Sequence, residues 1–214
     1  MTIRILIADD HEIVAEGLRF LIQAQPDMEV VACVSRGRDA VRFAFHASPD
    51  VVVMDNSMPE LNGIEATRQI RERRTDVRVI ILSIYSDTVH VSRALQAGAS
   101  GYVLKKSAAR HLVEAIRAAH AGRRYLSEGL AESVIDQFMS GSVSPDPLDR
   151  LSSRERQVLQ MLAEGRAMTE IAATLSLSPK TVETYRARMM EKLGIHEIAN
   201  LVRFAIQQGV IAIE

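Results

Sequence analysis

The sequence predicts an α/β domain with a doubly wound, five-stranded parallel sheet, followed by an all-α domain of four helices built around a helix-turn-helix. Three observations carry this. Up to residue 122, short apolar runs alternate with longer amphipathic stretches, the pattern of repeated βαβ units. The apolar runs are rich in Val and Ile without polar alternation, so both faces of the sheet are covered by helices, which requires parallel strands. From residue 149 onward every periodic segment has the spacing and end signals of a helix.

The strands are expected at 3–8, 29–34, 50–54, 78–83 and 100–104. Helical patterns lie between them, among them 13–23 and 63–73, and another at 108–121 stops before Gly122. In a doubly wound sheet, ligands bind outside the carboxyl ends of the strands. The polar residues with chemistry to offer fall at those ends. Asp9 and Asp10 follow the run Ile3-Arg4-Ile5-Leu6-Ile7-Ala8, and Asp55 ends Val51-Val52-Val53-Met54 ahead of a Met58-Pro59 turn. Ser83 and Lys105 close the fourth and fifth strands. Three carboxylates in one crevice cannot all stay ionised and unpaired. A hard divalent cation with oxygen ligands, Mg²⁺, is the natural partner.

A helix is expected over 128–139, then a flexible Ser/Gly/Pro-rich linker over 140–147. Beyond it, Ser152 and Glu155 form a capping box, and Gly165 stops that helix. A short helix over 169–175 is followed by Ser178-Pro179, an N-cap with proline at the first helical position. That helix ends before Gly194, and the last runs over 197–209. Two helices around a tight turn, the second capped and basic, indicate helix-turn-helix.

Composition excludes several classes. A single cysteine, Cys33, rules out an internal disulfide and fits a reducing compartment. No apolar run approaches the ~18 residues of a membrane span. The first strand begins at once without a signal segment, so a cytoplasmic protein without membrane insertion is expected. The net charge is −1 and acids and bases nearly balance in both halves, so DNA binding must rest on local pattern. The six histidines lack metalloprotease spacing, which argues against a zinc site.

These residues resemble a two-component response regulator of the NarL/FixJ type, a receiver joined to a LuxR-type helix-turn-helix. In the first domain the resemblance rests on Asp9-Asp10, Asp55 with Met58-Pro59 and Gly63, Ser83, and Tyr102 with Lys105. In the second it rests on Leu151-Ser152-Ser153-Arg154-Glu155, Glu170-Ile171-Ala172 and Ser178-Pro179-Lys180-Thr181-Val182-Glu183. It implies a flavodoxin-like receiver over 1–122, a linker with a helix over 123–148 and the DNA-binding domain over 149–214. It also implies that Asp55 accepts a phosphoryl group from the phosphohistidine of a sensor histidine kinase. Mg²⁺ would be held by Asp9, Asp10, Asp55 and the Ser57 carbonyl, Lys105 would supply a point charge and Ser83 a hydroxyl donor. Ser83 and Tyr102 would form the switch, while Ser57 and Tyr85 would set water access and so the lifetime of the phosphoryl group. Such a protein is a phosphoacceptor, with at most slow self-catalysed phosphotransfer and autodephosphorylation. Activation would produce a homodimer on double-stranded DNA.

Each residue taken alone has a blander reading. A lone strand-end Asp is usually a cap or turn former, Ser83 an ordinary loop hydroxyl, and Tyr102 a core aromatic with a wet tip. His11 and Cys33 are read as structural. The chain departs from the family at Asn56, where an apolar residue is usual, and at Lys106, where an acid is common. Ala167-Met168 replace the usual Ser/Thr-Asn, leaving Thr169 to cap a shortened helix.

In the helix from Pro179, helical periodicity puts Val182, Met189 and Leu193 inside, with Met190 nearby, and Lys180, Glu183, Thr184, Ala187 and Arg188 outside. Thr181, Tyr185 and Lys192 suit phosphate contacts. Glu183, Thr184 and Arg188 suit base edges, since a carboxylate accepts from cytosine and a guanidinium pairs with guanine. On charge alone, a solvated amphipathic helix in a small bundle fits as well. Two rivals remain at this point. A Mg²⁺-dependent phosphatase or phosphotransferase of the haloacid-dehalogenase type would want a second acid two residues after Asp55, where Ser57 stands. A constitutive dimerisation module would leave the acid set unused.

Overall fold

The computed structural model describes residues 2–132, 136 and 146–211. The chain forms two compact units, residues 1–143 and 144–214. Half of the helix expected over 128–139, and the linker up to residue 145, lie outside the described residues.

In the first unit, strands β1 (Ile3–Ala8), β2 (Met28–Val34), β3 (Val51–Asp55), β4 (Arg78–Ser83) and β5 (Gly101–Leu104) alternate with helices α1 (Glu12–Gln23), α2 (Gly37–His46), α3 (Gly63–Arg73), α4 (Thr88–Gln96) and α5 (Ala108–His120). Their order in the sheet is β2-β1-β3-β4-β5, all parallel. Successive side chains of each strand point to opposite faces, so one Val/Ile run feeds two cores. Leu6, Val52, Met54 and Ile81 pack with α2, α3 and α4, whereas Ile5, Ile7, Val53, Ile80 and Val103 pack with α1 and α5. All of these side chains are buried, which is why the strands show no polar alternation.

The sheet has six strands rather than five. Tyr125–Leu126 forms β6, parallel to β5, with Gly101 opposite Tyr125 and Tyr102 opposite Leu126. Two residues are too few to display a period, and they fall in the segment expected to be linker. What holds them is the free edge of β5. Tyr125 N–H donates to the Ser100 carbonyl at 3.1 Å and Ser127 N–H to the Tyr102 carbonyl at 3.0 Å. The Ser127 Oγ, buried, accepts the Leu104 N–H at 3.1 Å. The Tyr125 hydroxyl meets His111 Nδ1 of α5 at 3.0 Å.

The second unit is helical: α6 (Ser153–Ala163), α7 (Met168–Leu175), α8 (Pro179–Leu193) and α9 (Ile198–Gln207), preceded by a 3₁₀ turn at Pro147–Arg150. Its core gathers Val158, Leu159, Met161, Ile171, Val182, Met189 and Leu201. The Ser152/Glu155 capping box is formed in full, with the Ser152 N–H donating to Glu155 at 2.7 Å. Helix α7 differs from expectation. It starts at Met168, with Ala167 as N-cap and Thr169 inside the first turn. Alanine offers no side-chain acceptor, so only half a box exists, the Glu170 carboxylate taking the Ala167 N–H at 3.0 Å. That one bond, together with burial of Ile171 and Ala172, suffices to begin the helix there.

Replacing Ser127 by Ala would leave the buried Leu104 N–H without its acceptor, which costs about 1–3 kcal/mol. The first unit of Ser127→Ala should therefore unfold at lower urea concentration. An unchanged midpoint would mean that β6 contributes no buried bond of consequence.

Candidate functional site

The sheet delivers its polar strand ends to one place. Asp9 follows β1 directly and its N–H donates to the Val34 carbonyl at 3.1 Å, while Asp55 ends β3 opposite Leu82 of β4. Both carboxylates are nearly inaccessible, Asp9 at 3% and Asp55 at 1%. Lys105, just beyond β5, extends its Nζ between them, 3.0 Å from Asp55 Oδ2 and 3.1 Å from Asp9 Oδ2. Among the described residues the two Oδ2 atoms have no partner other than this one ammonium. Asp10 stands at the rim.

The loop after β3 depends on Gly63. A Cβ there would lie 2.2 Å from the Asp55 carbonyl oxygen, so only glycine lets α3 begin against the end of β3. The Gly63 N–H donates to the Asn56 carbonyl at 3.0 Å, and Asn62 caps α3 by accepting the Glu65 N–H at 2.9 Å. Asn56 itself is buried and its Oδ1 has no hydrogen-bond partner.

Charge in the pocket is out of balance. Burial, with the neighbouring Asp9 carboxylate, pushes the Asp55 carboxyl above the usual range, against Lys105 and the Ser57 N–H, which pull it down. Burial also opposes the Lys105 ammonium, yet Asp55 and Asp9 outweigh it and hold that lysine above its ordinary value. Ligand atoms of Asp9, Asp10, Asp55 and His11 all lie within 4.8 Å of one another. This donor set, two of its oxygens buried with one ammonium between them, fits a divalent cation. His11, expected from the sequence to be structural, stands among these ligand atoms. Its position beside two acids was the available signal, and its Nδ1 lies 3.0 Å from Asp10 Oδ1 and 3.3 Å from Asp9 Oδ1.

Ser83 and Tyr102 meet at the peptide of Tyr85. The buried Ser83 Oγ accepts the Tyr85 N–H at 3.1 Å, and the fully buried Tyr102 donates its hydroxyl to the Tyr85 carbonyl at 2.9 Å. Burial raises the Tyr102 phenol well above its ordinary pKa. The Tyr85 ring stacks on His90, centroids 4.3 Å apart and planes 8° apart. His90 is in turn held by Asp87, the α4 N-cap, at 2.7 Å, and that bond is the main reason the Asp87 carboxyl falls to about 2. Ser57 is half-buried beside Asp55, and Lys106 is exposed.

In the second unit, Lys180, Thr181, Thr184, Tyr185 and Arg188 line one cleft of about 300 Å³ with Ser178. Ser178 Oγ accepts the Thr181 N–H at 3.1 Å, fixing the start of α8. The inner face is Val182, Met189 and Met190, with Leu193 partly buried. The structure does not bring Glu183 or Lys192 into the cleft. Glu183 pairs with Arg186 at 3.4 Å. Lys192 Nζ lies 2.9 and 2.7 Å from the two carboxylate oxygens of Glu155, tying α8 to the cap of α6.

An acid pocket closed by one lysine, carried with a capped basic helix in a second unit, defines a signal-responsive regulator with a helix-turn-helix. Residues 5–117 match the response regulator receiver domain, and residues 149–205 match the bacterial regulatory proteins of the luxR family. The chain is 38% identical to the response regulator UvrY of Escherichia coli K12, over 97% of this chain and 95% of that protein. It is 35% identical to the response regulator GacA of Pseudomonas aeruginosa, over 98% of each. Among solved structures, RcsB from Salmonella enterica serovar Typhimurium, bound to promoter rprA with the phosphomimetic BeF₃⁻, superposes with a TM-score of 0.63. It is 26% identical, over 95% of this chain and 98% of that one. The chain belongs to the two-component response regulators that join a receiver domain to a LuxR-type DNA-binding domain. It is thus a transcriptional regulator rather than a classical enzyme.

The Glu155–Lys192 pair has a sign that can be tested. Burial opposes the Glu155 charge, but Lys192 and Ser152 outweigh it and lower its pKa below the ordinary 4.5. Its stabilisation is therefore complete above pH 4.5 and lost as pH falls through the lower, folded value. Because Lys192 is 42% exposed, the pair is partly screened, and Lys192→Ala should destabilise the second unit by about 1 kcal/mol. Thermal melts at pH 7 and pH 3 check this: the difference between variant and parent should shrink at the lower pH.

Proposed function

We propose that the phosphohistidine of a partner sensor kinase transfers its phosphoryl group to Asp55. An Asp55 carboxylate oxygen attacks phosphorus in line, the P–N bond to the kinase imidazole breaks, and an acyl phosphate forms. The observation that carries this reading is Lys105 held between Asp55 and Asp9. Its ammonium stays against the transferred phosphoryl oxygens when Asp55 is modified, and the Ser83 hydroxyl can donate to one of them. Asp9, Asp10, Asp55 and the Ser57 carbonyl would hold Mg²⁺, which when bound offsets the charge of the carboxylates and the phosphoryl group.

A Ser83 drawn to phosphate gives up the Tyr85 N–H, so the β4–α4 loop and Tyr102 move as one group. That change shifts a population toward a DNA-binding homodimer. Ser57 and Tyr85, two residues after Asp55 and Ser83 respectively, govern water access and hence slow autodephosphorylation. The receiver spans 1–122 with strand β6 (Tyr125–Leu126) added to its sheet from the segment 123–148 otherwise taken as linker, and a four-helix DNA-binding domain spans 149–214. In that domain α8 enters the major groove of double-stranded DNA. Lys180, Thr181 and Tyr185 contact phosphates, and Thr184, Arg188 and Glu183 read bases. Lys192 reaches phosphate only by leaving Glu155, so its main part is to brace α8. The protein acts in the cytoplasm, where kinase output and DNA meet.

Selection of sheared genomic DNA by the purified chain with Mg²⁺, with and without beryllofluoride, tests this. Discrete sites should be enriched mainly with the mimic, Asp55→Asn should lose that enhancement, and Arg188→Ala should weaken the selected sites by about 1–3 kcal/mol. Equal enrichment without the mimic would remove the phosphoryl switch. No enrichment in either state would remove the DNA-binding assignment.

A further inference from the structure

Of the four residues gathered at the acid pocket, His11 has no part in the phosphoryl chemistry above, yet its position is defined. Its backbone N–H donates to Asp9 Oδ1 at 2.9 Å, which fixes the residue at the mouth of the site as the N-cap of α1. The imidazole Nδ1 lies 3.0 Å from Asp10 Oδ1 and 3.3 Å from Asp9 Oδ1. Neighbouring ligands on an octahedral cation with bonds of about 2.1 Å stand about 3.0 Å apart. The nitrogen thus stands from each of the two carboxylate oxygens at about the separation of neighbouring ligands, and Asp55 also has a ligand atom within 4.8 Å of all of them. The His11 side chain is 61% exposed, so it can turn to an ion without leaving a core.

We infer that His11 supplies a nitrogen ligand to this cation site. The pocket therefore holds a borderline transition ion, of the Mn²⁺ or Zn²⁺ class, more tightly with His11 than without it, while Mg²⁺ gains little from the imidazole. The inference rests on the reading of the acid pocket as a cation site and adds to it a ligand and a selectivity. Magnesium prefers oxygen ligands and sheds water reluctantly, so an imidazole adds little to its affinity. For Mn²⁺ through Zn²⁺ the same imidazole is a favourable donor. Asp9 and Asp55, buried with the one ammonium of Lys105 between them, supply the negative charge that any of these ions needs.

The test uses the full chain with Mn²⁺, comparing the parent with His11→Ala and Asp10→Asn. Pulsed electron paramagnetic resonance should detect ¹⁴N coupling to the bound ion in the parent and lose it in His11→Ala. Titrations should show Mn²⁺ affinity falling about tenfold in His11→Ala. Mg²⁺ affinity should hold within about twofold. Bound Mn²⁺ without nitrogen coupling, or coupling that survives in His11→Ala, would overturn the role of His11 while leaving the cation site standing. Failure to bind Mn²⁺ at all, or binding indifferent to Asp10→Asn, would overturn the cation site and this inference together.

Discussion

The fold of the first unit brings more negative charge to one point than its own cation can balance, and the rest of the chemistry depends on that imbalance. Asp9 and Asp55 are buried, Asp10 stands beside them, and the single ammonium of Lys105 lies between the two buried acids. Parallel strands make this unavoidable. Their carboxyl ends lie side by side, so residues far apart in sequence reach the same rim. The apolar strands behind the rim leave no room for the carboxylates to retreat, and water reaches them poorly. A carboxyl held above its usual range by burial and a neighbouring acid is a group poised to accept positive charge.

From that point, hydrogen bonds run outward along one path. Ser83 and Tyr102 grip opposite ends of the Tyr85 peptide, and Tyr85 stacks on His90, which Asp87 anchors to the first turn of α4. On the far side of β5, the carbonyl of Tyr102 and the N–H of Leu104 are both satisfied by Ser127. The strand that carries the buried tyrosine is thus bonded on one edge to β4 and on the other to the residues leading out of the sheet. A change in the Ser83 bond would act on Tyr85, whose backbone N–H and carbonyl are held by side chains from two different strands.

Much of this was legible from the residues. Unbroken Val and Ile runs located the parallel strands because burial on both faces leaves a plain signature, and the strand-end acids, Ser83 and Lys105 followed from that. The capping box at Ser152 and the Ser178-Pro179 start were readable because caps are local chemistry. Harder to read were features made by tertiary contact. Strand β6 is two residues long, and only the open edge of β5 makes it a strand. Lys192 reads as an exposed helical cation, yet it sits on Glu155, 37 residues earlier, through packing of α6 on α8. The start of α7 at Met168, with Ala167 as N-cap, defied capping preference because one Glu170 bond and core burial replaced the missing side-chain oxygen. His11 reads as structural because one histidine carries no spacing pattern. Its meaning comes from the distance to its two neighbours.

The most direct measurement is a carboxyl ¹³C nuclear magnetic resonance titration of Asp55 in the full chain, without and with Mg²⁺. Uncompensated charge in the pocket predicts a midpoint above the ordinary 3.8 in the absence of metal, moving down when Mg²⁺ is added. A midpoint at the ordinary value, unmoved by Mg²⁺, would contradict it, because the three carboxylates would then need no cation beyond Lys105.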